Sequence, residues 1–287
     1  RYTHFSVRRV RRGQMCIGGR EGKTKISGRL ARALTRRGYR VQTFKKGPDY
    51  IDTLWAALAS GLPPRNLDPY MNGEVSLAEL FAHACRNTGS NFYRDRLNHA
   101  GASPEGTDAF CPQPVSAASE AGKAALPDIA IIEGNRGLFD GLDLSGSCST
   151  AELARQLKAP VLLTVNCTKM TRTTAALVKG CKHFEEGVNV AGVILNQASR
   201  ERHREIVRRA VEELAGVLVF GACPRLGQGP FGERNNGLLG EEAVLASARA
   251  FERLDKLADL IEAHVDLDGL VALAKSAPAL ELSDGTG

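Results

Sequence analysis

Three apolar runs constrain this chain most: "DIAIIEG" (Asp128 to Gly134), "PVLLTVN" (Pro160 to Asn166) and "VAGVILNQ" (Val190 to Gln197). Each is apolar at nearly every position rather than at every second one. That is the pattern of a strand covered on both faces, as parallel strands are beneath helices. Helical patterns separate them: "STAELARQLKA" from Ser149, "TTAALVKGCKHF" from Thr173 and "ERHREIVRRAVEELA" from Glu201, with "VLVFGACP" as a further strand. Upstream, "QMCI" reads as a short first strand, Thr24 to Arg37 as a helix closed by Gly38, and "YRVQTF" as a second strand. The alternation predicts an α/β fold, a doubly wound and mostly parallel sheet with its ligands at the carboxyl ends of the strands.

With 287 residues, 43% of them apolar, the chain can bury a sizeable core. It has no run of eighteen apolar residues, and no apolar stretch follows the basic N-terminal residues, so the expectation is a cytoplasmic protein without a membrane span. The seven cysteines (16, 85, 111, 148, 167, 181 and 223) show no CxxC spacing and read as reduced thiols. Charge is unevenly spread. Residues 1–46 carry 15 Lys or Arg against Glu21 alone, a net +14, while the rest of the chain is net −8. Such an end attracts polyanions, or else its arginines, including those at 36 and 37, form a solvated face.

Two stretches break the alternation. Residues about 86–127 are rich in Ala, Ser, Gly, Pro and Asn and read as a flexible insertion. After Asp266 the sequence offers one short helix and linker-like residues, so the domain is expected to close near residue 265, with 266–287 as a tail.

Candidate chemistry sits at the ends of the strands. "GGREGKTK" (Gly18 to Lys25) precedes the first long helix, where glycines free backbone N–H groups to turn on phosphate oxygens, a lysine reaches the terminal phosphates and a hydroxyl meets magnesium. Gly18, Gly19, Gly22, Lys23 and Thr24 would supply these parts. Ile17, however, stands where the usual GxxxxGK[ST] pattern has glycine, so the stretch also reads as a plain helix start. "FKKGPDYIDT" places Asp49 and Asp52 three residues apart in a turn after Lys45 and Lys46. Turn carboxylates are commonly solvated. In "IIEGNRGLFDG", Glu133 ends a strand and is followed by Gly134, Gly137, Asp140 and Gly141, which suits a shaped loop whose carboxylate holds magnesium.

Taken in order, "GKT", "FKKGPDYID", "RNLDPYM", "IEGNRGLFDG", "STAELARQLKAPVLL" and "VAGVILNQ…RH" resemble the cobyrinic acid a,c-diamide synthase family over roughly residues 14–245. "EGNRGLFDG" is most similar to the "EGNKGLYDG" of siroheme amidases associated with dissimilatory sulfite reductase. The resemblance implies a P-loop NTPase-like, dethiobiotin-synthetase-like domain that uses ATP and Mg2+ to activate a tetrapyrrole carboxylate for attack by ammonia. It implies that Thr24, Asp49, Asp52 and Glu133 hold the metal, that Lys23 and Lys45 offset phosphoryl charge, that Asp140 lies near the substrate and that Asn196 reads adenine. It also implies a homodimer and a glutaminase domain or subunit as ammonia source. No such domain is expected within the sequence after Asp266, and none of the cysteines has a nucleophile setting. The chain departs from the family loop "GTxSGxGKT" at Gly19 and Arg20, and has Asn235 where the family commonly has His. Two other readings remain. One is a partitioning-type ATPase, which the basic end would suit, though nucleic acid gives no reason for "GPDYID". The other is a homologue that has lost its nucleotide.

Overall fold

A computed structural model describes residues 13–18, 23–48, 50–73, 76–86, 126–224 and 248–280. Gly19, Gly22, Asp49, Asn235 and nearly all of the 86–127 stretch lie outside them, as do the side chains of Lys23, Thr24 and Asp52. The elements run β1 (Gly13–Gly18), α1 (Lys23–Arg36), β2 (Val41–Lys45), α2 (Tyr50–Ser60), β3 (Arg65–Asn66), α3 (Pro69–Asn72), α4 (Leu77–Arg86) and β4 (Ile129–Glu133). They continue with α5 (Thr150–Gln156), β5 (Val161–Asn166), α6 (Arg172–His183), β6 (Val190–Ala198), α7 (Glu201–Ala210), a π-helical turn (Val211–Ala215), β7 (Val219–Pro224), α8 (Ala248–His264) and α9 (Leu267–Lys275).

The seven strands form one sheet in the order β3-β2-β4-β1-β5-β6-β7, and every adjacent pair is parallel. Side chains of successive strand residues point to opposite faces, so each apolar run feeds two cores. Met15, Ile17, Ile129, Ile131, Leu162 and Ile194 join the layer under α1, α2, α8 and α9. Cys16, Ala130, Ile132, Val161, Leu163, Val193 and Leu195 join the layer under α4 to α7. The sheet is therefore doubly wound, as the runs predict, and the first strand, short as it is, lies at its centre between β4 and β5.

Helix α1 is fastened from the far end of the chain. Arg32 forks onto Asp255 at 2.7 and 3.1 Å, Arg36 reaches Asp259 at 2.7 Å, and Arg37 reaches Asp268 at 3.0 Å. Arg32, Arg36 and Arg37 of the basic run are thus matched by acids of α8 and α9 rather than turned to a polyanion or left as a solvated face. The boundary expected at residue 265 needs correction for the same reason. Leu267, Leu270, Val271 and Ala274 of α9 are buried in the layer beneath α1, so this helix belongs to the domain core. Burial also accounts for the thiols. The described cysteines are free, and removal from water pushes Cys16 and Cys85 up to about 12.

Candidate functional site

The carboxyl ends of β2 and β4 meet in a cluster of buried charge. Lys45 and Glu133 stand opposite one another in register, and Lys45 Nζ donates to Glu133 Oε1 at 2.6 Å. Ser27 of α1 donates through Oγ to Glu133 Oε2, also at 2.6 Å. Both carboxylate oxygens are therefore held, at a residue only 4% exposed. Next to this pair, the Lys46 ammonium lies 3.4 Å from Asp68. Asp68 uses its other oxygen as the N-cap of α3, accepting from the backbone of Tyr70 and Met71 at 2.8 and 3.2 Å. The sequence reading missed Ser27 altogether. Only its spacing, one turn beyond Lys23 and facing the next strand's end, would have given it away.

Glycines let the loops close on each other here. Gly47 adopts φ +92°, and a Cβ on it would come 2.7 Å from Asn135 Nδ2, so the loops of "KKGPD" and "EGNRG" abut. Gly134 donates to the Ile17 carbonyl at 3.0 Å, and a Cβ there would meet Thr150 at 2.5 Å. Ile17 pairs with Glu133, and Gly18 follows it, so the "GGREGKTK" stretch starts beside this carboxylate. Lys23 and Thr24 open α1, as a phosphate loop requires. Asp52 stands in the first turn of α2 rather than in a turn outside a helix. Asp140 is an exposed loop residue whose carboxylate accepts from Gly137 N–H at 2.9 Å.

At the ends of β5 and β6 the chemistry is neutral. Asn166 Oδ1 accepts from Thr168 N–H and Oγ at 2.9 and 2.7 Å, and Thr168 Oγ in turn bonds Gln197 Oε1 at 3.1 Å. Asn196 is 8% exposed, and its Oδ1 accepts from the Gln197 amide at 3.0 Å. His203 is no solvated helix residue, as its charged neighbours suggest. The Ser199 amide donates to its Nδ1 at 3.1 Å, so the other nitrogen carries the proton and donates to the Met170 carbonyl at 2.7 Å. The imidazole thus clasps the loop after β5 to the loop after β6.

Glu133 supplies hard oxygens of the kind that hold Mg2+ together with substrate phosphates, beside the end of β1 where "GGREGKTK" begins. Among the described residues no group of three His, Cys, Asp or Glu forms a cage of its own. Among the same residues, no helix is long and apolar enough to cross a membrane.

Residues 16–227 match the family model described as the CobQ/CobB/MinD/ParA nucleotide binding domain. The chain belongs to this family. Within this nucleotide-binding family it is 39% identical over 92% of its length to cobyrinate a,c-diamide synthase of Magnetococcus marinus. It is 38% identical over 91% to that of Archaeoglobus fulgidus. It covers 47% and 48% of those proteins, so the chain spans about half the length of the curated relatives it matches.

Proposed function

We propose that the chain is the ATP-dependent synthetase part of an amide ligase acting on a side-chain carboxylate of a tetrapyrrole, of the cobyrinate or the siroheme type. The observation that supports this best is the buried Lys45–Glu133–Ser27 cluster beside the phosphate-loop strand, with the "KKGPD" and "EGNRG" loops packed against each other. Two anionic reactants, a triphosphate and a carboxylate, must be brought together there, and fixed cations reduce their repulsion.

In this reading a substrate carboxylate oxygen forms a bond to the γ-phosphorus while the bond to the bridging oxygen breaks, and ADP leaves. The nitrogen of ammonia then attacks the acyl carbon, phosphate departs with the bonding pair, and the nitrogen gives up a proton. Lys23 and Lys45 stabilise charge on the transferring phosphoryl group, and Asp140 stands toward the substrate. Thr24, Asp49, Asp52 and Glu133 are the oxygen donors that would hold Mg2+, which when bound neutralises the phosphates. Ser27 fixes the Glu133 rotamer. Asn196 addresses the adenine. Tyr70 and Met71, 71% and 50% exposed just after Asp68, offer apolar surface to a macrocycle. Ammonia comes from solution or from a glutaminase outside this chain, and a homodimer is part of the same proposal.

The test is phosphate release from ATP with magnesium and ammonium, in the presence of cobyrinic acid, sirohydrochlorin or siroheme, with mass analysis of the tetrapyrrole. Replacement of OH by NH2 at one substrate, lost in Asp49→Asn, supports the ligase and names its substrate. Phosphate release indifferent to every tetrapyrrole would remove it in favour of a partitioning-type ATPase. Absence of nucleotide binding would leave the degenerate homologue.

A further inference from the structure

The loop that follows Glu133 holds Arg136 in a conformation that an arginine does not favour. Its φ is +49°, in the left-handed region where a residue with a Cβ is strained. The backbone is fixed from both sides. Gly134 donates to the Ile17 carbonyl at 3.0 Å, the Asn135 amide donates to Thr150 Oγ1 at 3.2 Å, and that hydroxyl donates back to the Asn135 carbonyl at 3.2 Å. The Arg136 amide donates to Asn135 Oδ1 at 3.0 Å, and Gly137 donates to Asp140 at 2.9 Å. Leu138 then anchors the loop, being buried and accepting from the Ala151 amide at 2.8 Å. None of these bonds uses the Arg136 side chain. Glycine would take the same backbone without strain, so the bonds that shape the loop give no reason for an arginine. Strain of this kind at the edge of a site points to a role for the side chain.

The surroundings indicate the chemistry. Arg136 is exposed, three residues past Glu133 at the carboxyl edge of the sheet. The lysines of this edge are placed differently. Lys45 and Lys46 are each 6% exposed and lie against Glu133 and Asp68, so their charge is answered inside the protein, whereas Arg136 stands at the surface. From it a continuous line of contacts leads to α3. Gly47 abuts Asn135, Lys46 precedes Gly47 and pairs with Asp68, and Asp68 caps the helix that bears the exposed Tyr70 and Met71. One rim therefore carries a cation at one end and apolar surface at the other. A planar macrocycle with carboxylates around its periphery presents the same two chemistries. A guanidinium forks onto a carboxylate through two parallel N–H bonds, as an ammonium does not.

We infer that Arg136 binds a carboxylate of the tetrapyrrole other than the one that reacts, and so sets which polycarboxylate is taken and in what orientation. The inference rests on the tetrapyrrole reading of the site. Such a substrate carries several carboxylates of similar chemistry, and activating one of them selectively requires a contact that holds another in place. The fixed backbone at Arg136 holds the base of the side chain for that contact, which limits the freedom lost on binding.

The experiment measures equilibrium binding of cobyrinic acid and of sirohydrochlorin, and of the fully methyl-esterified form of each, to wild type, Arg136→Gly and Arg136→Lys. Binding of ATP and of inorganic tripolyphosphate, each with magnesium, is measured on the same three proteins, with their thermal melts. Arg136→Gly is expected to bind the preferred acid roughly tenfold more weakly, the size of a charge-assisted hydrogen-bonded pair, and to bind its ester, ATP and tripolyphosphate as wild type does. Arg136→Lys, which keeps the charge without the fork, falls between the two. The Gly variant should melt within a few degrees of wild type, since the left-handed backbone suits glycine. An unchanged affinity for the acid, equal losses for acid and ester, an equal loss for ATP or tripolyphosphate, or a Gly variant that melts far below wild type would each overturn the role of Arg136. Wild type that binds the acid no better than the ester overturns it too, while leaving tetrapyrrole binding intact. Wild type that binds ATP but neither tetrapyrrole in either form overturns the tetrapyrrole reading itself, and the role of Arg136 with it.

Discussion

The two halves of the sheet's carboxyl edge are built from different chemistry. At β2 and β4 the groups are ionic and buried, with Lys45 on Glu133 and Lys46 on Asp68. At β5 and β6 they are amides, hydroxyls and a neutral imidazole, joined by Asn166, Thr168, Asn196, Gln197 and His203. The difference matches the two ends of a nucleotide. Phosphoryl groups carry charge that must be balanced at short range, whereas a base is uncharged and is recognised by shape and hydrogen bonds. In the proposed function, one edge of one sheet separates the place where charge is handled from the place where identity is read.

That contrast can be broken by substitution. The largest effect is expected at Lys45→Met, which removes the Lys45 ammonium from the buried Glu133 carboxylate. Stability should fall by about 3–5 kcal/mol in urea titration, and Glu133→Gln added to it should restore much of the loss. If the double variant is no better than the single one, the edge is not held by charge. Asp68 separates two contributions in the same half. Asp68→Ala removes both the Lys46 pair and the α3 cap, whereas Asp68→Asn keeps a capping oxygen and should recover about 1 kcal/mol of the difference.

In the neutral half, His203→Ala removes a clasp between two loops. We expect ATP to bind several-fold more weakly, about 1 kcal/mol, with the tripolyphosphate affinity unchanged. Equal weakening of both would place His203 on the phosphate side and blur the division. The smallest effect comes from the thiols beneath both halves, and serves as a control. Burial raises Cys16 from 9.0 to about 12, and Cys167 and Cys223 to about 11. The unfolded chain releases these protons above pH 9 while the folded chain keeps them, so this part of the stability is complete below pH 9 and declines as pH rises toward 11–12. Urea midpoints at pH 8 and 10 should show it, and Cys16→Ala should shallow the slope by roughly 1 kcal/mol per pH unit.

The sequence made the sheet legible because buried parallel strands leave no alternation to misread. "DIAIIEG", "PVLLTVN" and "VAGVILNQ" became β4, β5 and β6 nearly as written. Helices α2 to α4 were not read, since "YIDTLWAALAS" follows a Gly-Pro break and looks like the end of a turn. Glu133 and Lys45 stood out by type and position, but their mutual contact depends on strand order, which no local pattern carries. Ser27 stayed hidden, and His203 read as a helix-surface residue, for a related reason. Ser and His on a helix are common surface residues, and only packing between elements, 106 positions apart for Ser27 and Glu133 and 33 for His203 and Met170, shows otherwise.

The clasp between α1 and α8 has a consequence for how the chain is made. Arg32 and Asp255 are 223 residues apart, and β1, which leads into "GGREGKTK", takes its neighbours from Ile129 onward and Val161 onward. During synthesis β1 therefore emerges well before the strands that pair with it. Contacts this distant in sequence slow folding. In the proposed function, a nucleotide site at this edge is complete only when nearly all of the domain exists.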